Sequence, residues 1–509
     1  MDNKHIQDKY IRSNQNLYTP HTMGRVKKVN TTHTLNKHTI DRTKKHSYYK
    51  NTNTHTRTHT NTNYITKLIK LYYNNDNVVN NYNNNILKTK QYIFPIQRRI
   101  IVIGDIHGDF DVAIECLVLS KCINPLIIPK IKSVANMNTF FNKLKWIGDN
   151  TYIVQLGDQI DRVRPQKWDA NDVTRDSAYK DEGSTLDIFY LFYHLNNLAS
   201  LQNGRVFSII GNHEIMNVEG DFRYVSLQEF KSFKNHLKST YHRNSKFPYN
   251  SKTLINTSHR LTKQKKHKIS NTNTKSKDKH SIFKNNLPEG YRERLYAFSP
   301  TGLCANYIGS NSYTILQIGN WLFCHGSPVL NTVKSYTAEE MNNIVSMYLL
   351  GIETDNNQNE KHYNKIAKSN TVSDGSSDGS SDGSEIDSNE SILWDRTFGE
   401  VEIDPQRESI LTKKLDSILA AYNKKNNGYI NINNKLHSNI SSIANTKATN
   451  IAVGHTIQFA GDKGINSICN SRVWRCDVGM SRAFGDNTNE PLRKPQVLEI
   501  LNGKINIIS

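Results

Sequence analysis

Five short segments carry side chains able to hold metal ions beside a reacting centre: GDIHGD (104–109), GDQIDR (157–162), GNHE (211–214), CHGS (324–327) and GHT (454–456). Within them Asp105, His107, Asp158, Asn212, His325 and His455 offer oxygen and nitrogen donors. Such a set suits manganese, iron or zinc, whereas calcium takes oxygen alone. Six donors are too many for one catalytic ion that must keep open positions, and they fit two ions, divalent or trivalent. In two-metal hydrolysis the ions stand roughly 3.5–4 Å apart and a shared water becomes hydroxide near neutral pH. One carboxylate must bridge such a pair, and Asp158 is the candidate.

The elements that would position these donors are short and alike. RRIIVIGD (98–105), YIVQLGD (152–158) and RVFSIIGN (205–212) are apolar, β-branched runs that end in Gly followed by Asp or Asn. Each reads as a buried strand. Helices are predicted over Asp109–Cys122 and over 184–202, the second with Ser184 as N-cap. The β-α-β-α-β alternation argues for an α/β body, and ligands gather at the C-terminal strand ends of such sheets. TILQIGNWLFCHG (314–326), ATNIAVGHT (448–456), RVWRCDVG (472–479) and QVLEIL (496–501) supply further strands. The segment 123–150 is not explained by any motif.

Around this body the composition changes. Apolar residues make up only 36% of the 509, against roughly 45–50% in ordinary globular chains. Net charge is +20, of which residues 1–97 carry +12 and residues 231–286 carry +14, leaving −6 for the remainder. Residues 1–97, rich in Asn, Thr, His and Lys, read as a disordered basic tail, with a short helix predicted at Tyr64–Tyr73. The body is then 98–509, broken by flexible insertions at about 235–286 and 353–391. The second contains SDGSSDGSSDGS within 369–390, which lacks the hydrophobic position of a calcium-binding β-helix repeat. The tail and the basic insert could touch nucleic acid non-specifically. Six cysteines without a CxxC pair fit reduced thiols. The N-terminus lacks a signal-peptide core and no run is long enough to span a membrane, so the expected location is intracellular and cytoplasmic.

In their order, the five segments resemble the calcineurin-like metallophosphoesterase superfamily. They are most similar to its phosphoprotein phosphatase branch, with GDxHG, GDxxDRG, GNHE and two later histidines. GNHEIMNVEGDFRYV (211–225), LWDR (393–396) and GINSICNSRVWRCDVGMS (464–481) further resemble the Shewanella-like phosphatases. The resemblance implies an αββα sandwich of two mixed sheets flanked by helices. It implies that Asp105 and His107 bind one metal and Asn212, His325 and His455 the other, with Asp158 between. His213 would be the general acid, held by Asp161, since a neighbouring carboxylate favours the imidazolium that a leaving oxygen needs. Arg162 and Arg396 would grip phosphate, the planar guanidinium matching its oxygens. Two departures stand out. Val163 replaces the usual glycine after GDxxDR, and Ser327 replaces a second glycine after His325.

Taken singly, Asp105 could cap a helix, Asn212 could form an Asx turn, and His325 could be a packed core histidine. Arg396 could form a surface ion pair, Arg482 could lie at the surface or in the site, and His194 and Trp394 read as packing residues. Five segments in order are not explained that way. The implied function is a dinuclear-metal phosphatase that cleaves phosphate monoesters, on phosphoproteins or small esters, by direct attack of metal-bound hydroxide. The alternatives are a nucleotide or dinucleoside-polyphosphate hydrolase or phosphodiesterase of the same superfamily, and an inactive binding protein.

Overall fold

A computed structural model of the chain describes residues 63–72, 87, 90–164, 181–243, 287–352, 358–368, 391–436, 446–458, 464–485 and 493–509. Most of the predicted tail, the greater part of both predicted insertions and the SDGS repeat lie outside the described residues. Two six-stranded sheets organise the rest. Their strands are β1 (Ile93–Phe94), β2 (Arg99–Ile103), β3 (Tyr152–Gln155), β4 (Arg205–Ile209), β5 (Ser312–Tyr313), β6 (Leu316–Ile318), β7 (Trp321–Phe323), β8 (Asn450–Val453), β9 (Asn466–Ile468), β10 (Val473–Arg475), β11 (Val497–Leu501) and β12 (Lys504–Ile508).

One sheet runs β12-β11-β2-β3-β4-β5, and the other runs β1-β6-β7-β8-β10-β9. In the first, β2, β3 and β4 are parallel neighbours, with Ile103 opposite Gln155 and Gln155 opposite Ser208. In the second, β7, β8 and β10 are parallel, with Phe323 opposite Ala452 and Arg475 opposite Val453. Antiparallel hairpins complete them: β11–β12 and β9–β10 at sheet edges, and β6–β7 inside the second sheet. Both sheets are therefore mixed, helices flank them, and the αββα arrangement is the observed one. The apolar runs β2, β3 and β8 are buried on both faces, as parallel strands covered on each side must be. One continuous core joins Ile101, Val154 and Ile209 of one sheet to Leu322 and Ile451 of the other.

The helices follow local chemistry closely. Phe110–Leu119 is capped by Asp109, whose carboxylate accepts from Val112 N at 3.3 Å. Thr185–Ser200 starts at Ser184 as predicted, but the Ser184 hydroxyl makes no cap bond. The run 314–326 forms the β6–β7 hairpin, turning at Gly319, where φ is +58°. Segment 123–150 holds the helix Val134–Lys143 and an isolated bridge between Ile123 and Trp146.

The helix predicted at Tyr64–Tyr73 spans Tyr64–Tyr72. Although the sequence groups it with the polar tail, Tyr64, Ile65, Leu68 and Tyr72 are buried in the main core. Tyr64 donates its hydroxyl to the buried Asp187. Four apolar side chains at helical spacing are enough to dock a stretch whose neighbours are mostly polar. The six cysteines are buried and unpaired. No helix among the described residues is long and apolar enough to cross a membrane.

Candidate metal centre

Six strand ends converge on one site. Asp105, Asp158 and Asn212 follow β2, β3 and β4, while His325, His455 and Asp477 follow β7, β8 and β10. The backbone there is forced. His107, Asp158, Asp161 and His455 all have positive φ, at 46°, 49°, 74° and 67°, a conformation costing non-glycine residues on the order of 1–3 kcal/mol each. Cross-loop hydrogen bonds hold it. Ile106 N and His107 N both donate to Asp158 O, at 3.1 and 2.8 Å, and Gly108 N donates to Gln159 O at 2.9 Å. The buried Glu214 carboxylate accepts from Asp158 N, Gln159 N and Gly211 N at 3.0, 2.9 and 2.7 Å, fastening the second and third loops together. His455 N donates to both Asp105 oxygens, at 3.3 and 3.1 Å.

The donors form two clusters sharing Asp158: His107, Asp158 and His213, and Asp158, His325 and His455, with the donor atoms of each within 4.8 Å of one another. His107 Nε2 lies 3.8 Å from Asp158 Oδ2 and 3.9 Å from Asp105 Oδ2. His325 Nε2 lies 3.3 Å from Asp158 Oδ1 and 2.9 Å from Asn212 Oδ1. The six predicted donors are thus brought together, and all are buried. The far nitrogens of His107 and His325 face the carbonyls of Ile160 and Leu156, at 3.3 and 2.8 Å, which fixes the ring orientations.

His213 stands in the first cluster, with Nε2 3.8 Å from Asp158 Oδ2 and Nδ1 2.9 Å from Asp161 Oδ2. Asp161 also accepts from Asn217 Nδ2 at 3.0 and 2.9 Å and from Arg294 Nη2 at 3.3 Å. Arg294 is fully buried and spans from there to Glu229, 3.6 Å away.

The electrostatics match the requirements of metal ligands. Burial raises the Asp158 carboxyl, but His325, His213 and His107 outweigh it and hold the group well below the ordinary carboxylate range. Burial keeps His107 and His455 well below the usual imidazole value, with Arg164 adding to the effect on His107 and Arg396 to that on His455. An ionised bridge and neutral imidazoles are the states in which these groups bind metal; His325 differs, since burial lowers it but Asp158 outweighs that and raises it above the usual imidazole value. Asp105 is pushed well above its usual value by burial, then by Asp477 and Asp158. Two carboxylates and a third beside them, with Asp477 Oδ2 buried and without a hydrogen-bond partner, make a pocket of negative charge that cations would relieve. The residues present therefore fit a pair of metal ions.

The arginines divide. Arg396 is exposed, and its Nη1 donates to His455 O at 2.8 Å and Thr456 Oγ1 at 3.1 Å. Arg162 is held by other partners. It is fully buried, donates to Gly108 O at 3.0 Å, and lies 3.5 and 3.7 Å from Asp109 and Glu182. Arg482 pairs with the same Asp109 and Glu182 and with Asp111. His194 stacks on Tyr190, and Trp394 is half-buried with its indole N–H on Ala367 O. Neither motif departure strains the chain. Val163 keeps negative φ and donates its N–H to Tyr224 O at 2.9 Å, the positive φ falling on Asp161 instead. Ser327 accepts from Phe398 N at 2.8 Å, tying the LWDR loop to the site.

Sequence reasoning passed over Glu214, Asp477, Asn217, Arg294 and Arg164. Asp477 carried a visible signal, since it follows an apolar strand as the other five donors do. Arg294 carried none, because its charge is explained only by carboxylates far away in the chain.

The calcineurin-like phosphoesterase family model matches residues 98–327. Shewanella-like protein phosphatase 2 of Arabidopsis thaliana is 26% identical over 82% of this chain and 78% of its own length. Shewanella-like protein phosphatase 1 of Plasmodium berghei is 32% identical over 30% of each chain. Among solved structures, a cold-active protein-tyrosine phosphatase of a psychrophilic Shewanella matches over 84% of each chain at 14% identity and a TM-score of 0.41.

Proposed function

We propose that this chain, whose residues 98–327 match the calcineurin-like phosphoesterase model and which resembles the Shewanella-like protein phosphatases, is a dinuclear-metal phosphatase acting on phosphate monoesters of proteins. The observation that carries this reading is the pair of buried donor clusters sharing Asp158, with the His213–Asp161 pair beside them. Asp105 and His107 would hold one ion, and Asn212, His325 and His455 the other. Bound there, the ions would supply an activated water and offset the charge of the phosphoryl group. Asp161 accepts a hydrogen bond from His213 Nδ1–H, which leaves Nε2–H of the imidazolium facing the centre to give its proton to the departing oxygen. Asn217 and Arg294 hold the Asp161 carboxylate in place, and Asp161 in turn fixes the imidazole. Arg396, at the open side of the second cluster, receives the phosphate oxygens. The names of the Arabidopsis and Plasmodium relatives favour phosphoproteins over nucleotides.

The test compares a phosphopeptide with a diaryl phosphate diester under the same manganese load, at low and at high salt. Phosphate release from the peptide that persists at high salt, with little cleavage of the diester, is expected. Preferential cleavage of the diester would move the assignment to a phosphodiesterase, and peptide turnover lost with salt would mean that surface charge, not the buried site, selects the substrate.

A further inference from the structure

Phosphate recognition by the family pattern would fall to the arginine of GDxxDR, which is Arg162. That side chain is committed elsewhere. Its exposure is 0%, and its guanidinium is occupied by Gly108 O and by the carboxylates of Asp109 and Glu182. A guanidinium so enclosed could reach substrate only by giving up Gly108 O and its place beside Asp109 and Glu182, the two carboxylates that Arg482 also pairs with.

Two residues on, Arg164 is differently placed. It is half-buried, with its guanidinium 4.4 Å from the Phe484 ring centroid and 5.5 Å from that of Tyr224. Those rings line the site itself. Phe484 lies 5.5 Å from the His107 ring, and Tyr224 lies 4.5 Å from the His213 ring. Arg164 Nη1 donates to the carbonyls of Asp161 and Val163 at 3.2 and 2.9 Å, which anchors the head without neutralising it. Among the described residues no carboxylate lies within ion-pair distance of Arg164 or of Arg396, whereas Arg162, Arg294 and Arg482 each have at least two. The two guanidinium groups stand beside the clusters, Arg164 near His107 and His213 through Phe484 and Tyr224, Arg396 on the His455 carbonyl.

We propose that Arg164 and Arg396 form the phosphate clamp of this enzyme, and that Arg162 is a buried strut joining the first two loops. The inference rests on the phosphatase reading and deepens it. Aromatic faces on Arg164 hold the planar group in one orientation, and an incoming phosphate dianion supplies the counter-charge that the protein withholds. The Val163 departure accompanies the exchange, since the chain leaves Asp161 without the usual glycine.

Inorganic phosphate is the probe, used as a competitive inhibitor of aryl phosphate hydrolysis by the full-length, metal-loaded chain. Arg164→Ala should weaken phosphate inhibition and raise KM by about 10- to 100-fold, the range for a lost charged hydrogen bond, with metal content and Tm near wild type. Arg164→Lys keeps the charge but loses the planar fork, and should fall between. Arg162→Ala should chiefly lower Tm. Should Arg164→Ala fold poorly, Arg164→Gln and Arg164→Lys carry the comparison. Unchanged phosphate inhibition in the Arg164 variants, or weakening confined to Arg162→Ala, overturns the clamp. A wild type that holds two metals yet neither cleaves the ester nor binds phosphate overturns the phosphatase reading itself, and the clamp with it.

Discussion

Replacing His213 with alanine separates the two roles that its position allows. Its Nε2 belongs geometrically to the first donor cluster, while its Nδ1 is held by Asp161. If the ring is the general acid, its loss costs on the order of 10²–10⁴ in kcat, equivalent to about 3–5 kcal/mol of barrier. The fold should survive. The backbone N–H of residue 213 still donates to Asp158 Oδ1, as it does now at 3.0 Å, and Asp161 keeps Asn217 and Arg294. The assay is steady-state hydrolysis of a phenyl ester and of a nitrophenyl ester, with metal content measured on the same samples. A phenolate leaving group, with a pKa of about 10, needs a proton and should show the full loss. Nitrophenolate leaves without one and should show a much smaller loss. Equal losses for both esters, or depletion of metal from the variant, would refute the general-acid role and make His213 a ligand beside His107 and Asp158.

Three further outcomes follow from the same geometry. Gly454→Ala places a methyl 2.3 Å from Asp105 Oδ1, so the variant should lose metal affinity by at least about tenfold, the scale for disturbed ligand positioning, as read by titration with manganese. Glu214→Gln removes an acceptor from the three N–H groups that fix the second and third loops, and should lower stability by about 1–3 kcal/mol in denaturant unfolding. Asp187 is buried beside Tyr64, and burial pushes its carboxyl up to about 7. The folded state thus keeps this proton to higher pH than the unfolded chain. Its contribution to stability is full below about pH 4 and declines until the pH passes the folded value. Asp187→Asn should remove that decline, so the Tm difference between variant and wild type should shift in the variant's favour between about pH 4 and 7. A pH-independent difference would contradict the assignment.

Much of this architecture is written locally. The β-branched runs of β2, β3 and β4, each closed by Gly and a polar donor, specify both the strand and the place of a candidate donor. The structure brings Asp105, Asp158 and Asn212 together with His325 and His455, which follow β7 and β8. Less legible were features decided by distant parts of the chain. The hairpin of β6 and β7 reads as one apolar run until Gly319 is seen to turn it. Tyr64–Tyr72 looks like an island in polar sequence, and only Asp187 and the core around it explain its docking. The orientation of Arg162 depends on Asp109 and Glu182, so a motif that names the arginine does not say where its side chain goes. Arg164 and Asp477 carry charges whose meaning appears only when six strand ends meet.

The central claim is that Asp158 joins two metal ions that make this chain a phosphatase. It is tested most directly by measuring metal content and aryl phosphate hydrolysis together, for wild type and Asp158→Asn, after chelation and return of manganese. Two metals per chain in the wild type, activity lost on chelation and regained with manganese, and near-complete loss of both metal and turnover in Asp158→Asn are the predicted results. A folded wild type that binds no metal, or an Asp158→Asn variant that keeps both metals and full turnover, would contradict the account.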